Sequence, residues 1–289
     1  MSTGWCSGDG GPRAVGAARA ELGESPLWAP EGEAVVWTDI PARTLHVTSA
    51  SGRDRTSRRA GPVGALAAHA AGGFVLAEGN RILHVGADLR TRELIAEIDL
   101  PPDSRFNDGA VDPAGRFVVG VLSPGPGVLL SVEPDGGVRT VLDGIALTNG
   151  LDWSPDGRTL YHVDSVTARV DAYAYDVRSG ILGARRTAVQ VEGGLPDGLT
   201  VDTEGHLWVA VWGAGEVRRY APDGSVLTAL PLPVAHVTCP VFGGPALDIL
   251  FVTTARHGAG EAEPLAGALF AVPTSARGRP VTAFGRRPA

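Results

Sequence analysis

Apolar residues in this chain come in short runs, such as Phe117-Val118-Val119, Leu160-Tyr161-His162-Val163 and Leu207-Trp208-Val209-Ala210. Turns such as Pro-Ala-Gly, Pro-Asp-Gly and Thr-Glu-Gly bound them, a pattern that predicts consecutive β-hairpins. A fixed spacing runs through the pattern. Glu24 lies eight residues before Gly32, Gly64 before Gly72, Asn107 before Gly115, Asn149 before Gly157 and Asp197 before Gly205. The turn glycines advance by 40, 43, 42 and 48 residues, and a sixth unit follows at Phe242-Gly243-Gly244. Units of about 40 to 45 residues with four strands each predict propeller blades. Six such blades make an all-β, six-bladed β-propeller over residues 14–285, with 1–13 expected as a disordered tail. Hairpins such as Arg218 to Tyr220 with Val226 to Leu230, joined by the turn Pro222-Asp223-Gly224, supply the outer strands. The last outer pair is expected at Ala268 to Val272 and Pro280 to Phe284, with Ala14 to Ala20 as an N-terminal strand that closes the ring and removes a free edge.

Composition narrows the classes. The chain has 289 residues, 44% of them hydrophobic, and no segment has the apolar length of a membrane span. A net charge of -7 without a basic cluster argues against nucleic acid as a partner. Cys6 and Cys239 form no disulfide framework or thiolate metal spacing, and the expected location is cytoplasmic. Every basic residue is arginine, which excludes Schiff-base chemistry on a lysine. Gly-x-Ser-x-Gly, Gly-x-Gly-x-x-Gly and HExxH are absent, which argues against a serine hydrolase, a dinucleotide enzyme and a zincin.

One position of the repeat holds Glu24, Gly64, Asn107, Asn149 and Asp197 in turn, and core positions related by symmetry would instead be apolar in every copy. In a propeller these residues ring one mouth of the central channel, with Gly64 leaving a gap. For the sixth member the count gives His236 or, from the apolar run Pro240-Val241-Phe242, the preferred Thr238. Carboxylates and amide oxygens gathered without a basic partner repel one another and lose hydration. A divalent cation resolves both problems, and all-oxygen ligation favours Ca²⁺, Mg²⁺ or Mn²⁺, with Zn²⁺ as a further option.

The ordered motifs Gly23-Glu24-Ser25-Pro26-Leu27-Trp28, Arg105-Phe106-Asn107-Asp108-Gly109, Thr148-Asn149-Gly150-Leu151-Asp152-Trp153, Leu195-Pro196-Asp197-Gly198 and Phe242-Gly243-Gly244 resemble the regucalcin (senescence marker protein) and gluconolactonase family. The resemblance implies a six-bladed propeller that binds one divalent metal ion and hydrolyses sugar lactones. It implies Glu24, Asn149 and Asp197 as metal ligands, with Arg105 and Asn107 contacting substrate. The sequence departs from the family after Phe117. Gly120 to Gly127 passes almost directly into the next strand, where relatives carry a longer overhang with an acidic residue, and Val121 and Leu122 are expected to make the pocket wall more apolar.

Taken singly, each of these residues has a plainer role. Asn149-Gly150 and Pro196-Asp197-Gly198 fit loop chemistry, Glu24 a solvated charge, and Asp108 support of its own loop. Asp112, Asp135, Asp156 and Asp223 are expected to build turns, and Trp28, Trp153 and Trp208 to pack between blades. The shared register of the mouth residues favours a common site. The expected chemistry is metal-assisted opening of a lactone, with Asp197 as the group that takes a proton from water. Action of the same metal propeller on other esters or phosphotriesters, or in a biosynthetic rearrangement, is the alternative. A non-enzymatic calcium-binding protein is the third reading.

Overall fold

The computed structural model describes residues 5, 10–260 and 262–286. The strands form six four-stranded antiparallel sheets, and in five of them the order follows the chain. The innermost strands are Gly23–Ala29, Val63–Ala68, Arg105–Val111, Thr148–Trp153, Leu195–Val201 and Val237–Gly243, which define blades 1 to 6. Blade 6 is closed by the N-terminal strand Arg13–Val15, which pairs with Leu269–Pro273 in the register Arg13↔Ala271 to Val15↔Leu269. The closing strand is therefore shorter than the sequence pattern suggests. Of the expected tail, Arg13 belongs to that strand, and the Trp5 ring packs edge-on against Trp28 and Phe251 at 5.8 and 4.8 Å between centroids. Residues 1–4 and 6–9 lie outside the described residues.

The core is divided among the blade interfaces. Six clusters of buried side chains are present among the described residues, and each joins two neighbouring blades. Middle strands are covered on both faces, so Ala34–Asp39 and Ile249–Thr254 are buried along their whole length. That explains the unbroken apolar runs in the sequence. Trp28, Trp153 and Trp208 do lie between blades, for instance Trp208 against Phe242 at 5.5 Å, and each contributes roughly 1.5 to 3 kcal/mol by burial. Among the described residues no helix is long and apolar enough to cross a membrane.

Two expectations need correction. Pro280 to Phe284 is not an outer strand of blade 6. After Leu269–Pro273 the chain crosses the end of the channel where the hairpin glycines lie. Arg279 there donates to Asp152 Oδ1 and the Trp153 carbonyl, at 3.0 and 2.7 Å, and Phe284 bridges to His69 of blade 2. This segment floors the channel and leaves an axial cavity of about 150 Å³ above it. Nor does Gly64 leave a gap. A Cβ at that position would collide with the carbonyl of Phe106, so the blade 3 backbone fills the space.

Candidate metal centre at the channel mouth

The repeat register has a structural cause. Every innermost strand carries a register shift near its first residues: after Glu24 and Val63, between Asn107 and Gly109, between Thr148 and Leu151, between Pro196 and Leu199, and between Val237 and Cys239. Bulges at the rim of a closed β structure turn side chains out of the ladder and toward the axis. Thr238 occupies the bulge of blade 6, which agrees with the preferred alignment. Its Oγ1 donates to the Gly23 carbonyl at 2.6 Å, however, so it ties blade 6 to blade 1. His236 lies outside the strand and stacks on Trp212 with 4.1 Å between ring centroids. Gly150 and Gly198 follow Asn149 and Asp197 because the next blade leaves no room for a Cβ: at Gly150 it would meet the backbone of Asp197 and Leu199, and at Gly198 the Cys239 side chain.

These shifts bring the sequence-selected residues together. Glu24, Asn107, Asn149 and Asp197 are all buried, and none is more than 7% exposed. The Asn107 amide donates to the Thr148 carbonyl at 2.7 Å and to Asn149 Oδ1 at 3.1 Å, and its own Oδ1 accepts from Arg105 at 2.5 Å. Asn149 Nδ2 donates to Ser165 Oγ at 3.0 Å, which fixes the orientation of the Asn149 amide. Asn107 therefore links Arg105, which the resemblance implies as its fellow substrate contact, to Asn149. Glu24 accepts from the Ser25 N–H at 3.2 Å. The Asp197 carboxylate accepts no hydrogen bond among the described residues.

The electrostatics are those of an excess of acid. Burial, then repulsion from Asp197 and Asp108, holds the Glu24 carboxyl well above its ordinary range, opposed by the Ser25 N–H and Arg105. Burial and then Asp108 do the same to Asp197. Arg105 is half-buried, and this desolvation lowers its pKa against the pull of Glu24 and Asp197. Sequence reasoning placed Asp108 as loop support, yet it belongs to this cluster. It sits in the blade 3 bulge at φ 55°. Burial pushes its carboxyl up to about 6, and its Oδ2 is buried without a partner among the described residues. Its only sequence signal was its place beside Asn107.

Three buried carboxyl groups, one of them with an orphaned oxygen, and one guanidinium form a donor set that fits a hard divalent cation. A second acidic group, Asp202, Glu204 and His206, also has ligand-type atoms within 4.8 Å of one another. Arg219 already lies among them, and it bonds to Asp202 at 2.7 Å, Glu204 at 2.7 Å and His206 at 2.8 Å. Elsewhere, Val121 is 3% exposed and packs in the core between blades 2 and 3, so it forms no pocket wall. Leu122 is half-buried and faces Arg105 across the ladder.

A closed six-bladed propeller with buried acids ringing one mouth defines a class of metal-site propellers. Within it, the profile of the SMP-30/Gluconolactonase/LRE-like region family matches residues 22–256, and the chain belongs to that family. It is 39% identical over 256 residues to regucalcin of Danio rerio, covering 85% of this chain and 86% of the relative. The crystal structure of a calcium-binding regucalcin from Agrobacterium tumefaciens superposes with a TM-score of 0.89 at 30% identity, covering 95% of this chain and 97% of that one. A gluconolactonase from Xanthomonas campestris superposes with a TM-score of 0.73 at 25% identity over 91% and 94% of the two chains.

Proposed function

We propose that this protein is a divalent-metal-dependent hydrolase that opens the ring of a lactone. The observation that carries the reading is the cluster of Glu24, Asp108 and Asp197 at the mouth, opposed by Arg105 alone. Membership of a family that includes a gluconolactonase supports it. Glu24, Asn149 and Asp197 would hold the ion, calcium being the first choice because a similar protein is described as calcium-binding. When bound, such an ion polarises an ester carbonyl and makes water more acidic.

The remaining steps belong to side chains of this protein. Asp197, whose carboxylate has no competing donor, accepts a proton from the water that attacks the carbonyl carbon, and returns it to the ring oxygen as the carbon–oxygen bond breaks. Arg105 Nη1 is tied to Asn107 and to the Phe106 carbonyl, at 2.5 and 3.1 Å. Its remaining N–H groups hold substrate oxygens. Asn107 sets the orientation of both Arg105 and Asn149. The small-molecule lactone is the only partner this reading needs, and the cytoplasm is the proposed compartment.

A panel of sugar and non-sugar lactones, assayed with chelator and again after a divalent ion is added back, tests the reading. Turnover abolished by chelator and restored by the ion is the expected result. Metal-independent turnover, or none on any lactone, overturns it. Arg105→Leu should keep the ion and lose roughly tenfold to a hundredfold in kcat/KM, the worth of charged hydrogen bonds.

A further inference from the structure

The groups that rim the mouth differ in what they leave free. Four hydroxyls beside the buried acids are turned into the frame. Ser25 Oγ donates to the Gly64 carbonyl at 3.4 Å, Ser165 Oγ to the Pro196 carbonyl at 2.7 Å and Thr238 Oγ1 to the Gly23 carbonyl at 2.6 Å. Thr148 Oγ1 pairs with His162 Nε2 at 3.0 Å. On blade 3, Ser123 Oγ folds back on the Gly125 carbonyl at 2.9 Å. Few neutral hydroxyl groups therefore remain to recognise the hydroxyls of a sugar ring.

Blades 5 and 6 present the opposite character. Trp212 ends the second strand of blade 5 and pairs directly with Leu195, two residues before Asp197 on the innermost strand. Cα atoms paired across such a ladder lie about 5 Å apart, so Trp212 lies at the same end of blade 5 as Asp197. It is half-buried, and its Nε1 donates to no group among the described residues. One face is covered by the His236 ring, stacked at 4.1 Å and 8°. Leu195, its ladder partner, is 46% exposed. The hairpin that follows the second strand spans 255–268 in blade 6, between Ile249–Thr254 and Leu269–Pro273, far longer than its counterpart 213–215 in blade 5. Glu263 of that hairpin accepts from the Ala235 N–H at 2.9 Å, which anchors the segment that carries His236. The aromatic pair is thus a fixed, preorganised surface, and rigid aromatic faces bind apolar groups at low entropic cost.

We propose that Trp212, backed by His236, is the wall against which the non-reacting part of the substrate lies, and that it selects lactones bearing an apolar or aromatic substituent over polyhydroxylated ones. The proposal rests on the lactonase reading for its substrate class. It concerns a different surface from the one that holds the ion.

Two arms separate the readings. In the first, protein with excess calcium is given a six-membered lactone without substituents and the same ring bearing a phenyl group. Trp212→Ala should raise KM for the phenyl lactone by roughly three- to tenfold, the range expected for one aromatic stacking contact. The unsubstituted ring should be unaffected, Trp212→Phe should restore most of the loss, and metal content should not change. In the second arm, calorimetry measures binding of the corresponding unsubstituted and phenyl lactams, which needs no turnover. The phenyl lactam should bind the wild type more tightly, and Trp212→Ala should erase that preference. If no lactone is turned over but the lactam preference appears and depends on Trp212, the lactonase reading fails and the wall stands. Equal losses for substituted and unsubstituted rings, or no dependence on the phenyl group in either arm, overturn the wall.

Discussion

At the floor of the channel Asp112, Asp152 and Asp202 each meet an arginine: Arg116 at 2.6 Å, Arg279 at 3.0 Å and Arg219 at 2.7 Å. At the mouth Glu24, Asp108 and Asp197 share Arg105. The floor acids also accept backbone N–H groups, as Asp112 does from Ala114 and Arg116 at 2.9 and 2.8 Å. Hydrogen bonds from the Trp208 indole, the His206 N–H and Arg219 lower the Asp202 pKa despite its burial. The mouth acids are raised. The same residue type is thus structural where a cation of the chain matches it one for one, and is left in need of an outside cation where it is not.

Four experiments bear on that contrast, beginning with the largest expected effect. Asp112→Asn at the floor leaves the buried Arg116 without its partner and should cost about 3 to 5 kcal/mol in urea unfolding, with calcium affinity unchanged. A floor variant that lost its ion but kept its stability would reverse the contrast. At the mouth the pattern should invert. Glu24→Gln, Asn149→Ala and Asp197→Asn should each weaken calcium binding by about a hundredfold or more, since even outer partners of a metal site are worth roughly ten- to a hundredfold; the metal-free Glu24→Gln and Asp197→Asn proteins should unfold no sooner than wild type, whereas Asn149→Ala also loses its bonds with Ser165 and Asn107. Because Glu24 and Asp197 hold protons more tightly than usual, protons compete with the ion, so wild-type calcium affinity should fall steadily as pH is lowered.

Asp108→Asn gives a finer test. With the folded carboxyl raised from 3.8 to about 6, ionisation works against the folded state. That penalty is absent below the ordinary value, grows through the interval and is constant above it. The variant should therefore stabilise metal-free protein at pH 7 by on the order of 2 kcal/mol and have no effect at pH 4. A destabilising effect at pH 7 would assign Asp108 to the frame. The smallest effect belongs to Glu204, whose side chain is 66% exposed. Glu204→Ala should alter stability by less than about 0.5 kcal/mol and leave calcium content unchanged. Loss of bound calcium in this variant would move the ion to the Asp202 group.

Much of the fold was legible because blades repeat, and a repeat exposes both its period and the position at which its chemistry varies. The register even identified Thr238 as the sixth equivalent, since the bulge that defines that position recurs in each blade. Features without a repeat were not legible. The segment from 277 to 286 has no strand periodicity, and its place across the floor depends on contacts with blades far away in sequence, such as Arg279 with Trp153. Asp108 was missed because a bulge turns one residue of the ladder inward, and no composition rule separates that residue from an ordinary turn aspartate. Val121 was misplaced because strand alternation directs it into the blade 2 and 3 core, whereas its neighbour Leu122 remains at the rim.

The pairing of Arg13–Val15 with Leu269–Pro273 also bears on how the molecule is made. This contact joins residues near opposite ends of the sequence, and contacts with such large separation form late and slowly. A growing chain can stack its early blades while still on the ribosome, but the circle remains open until the final strands have emerged. Glu24 lies in the first blade and reaches Asp197 only across the finished circle. The acid cluster is therefore expected to assemble only once the ring has closed, and ion uptake would report that closure.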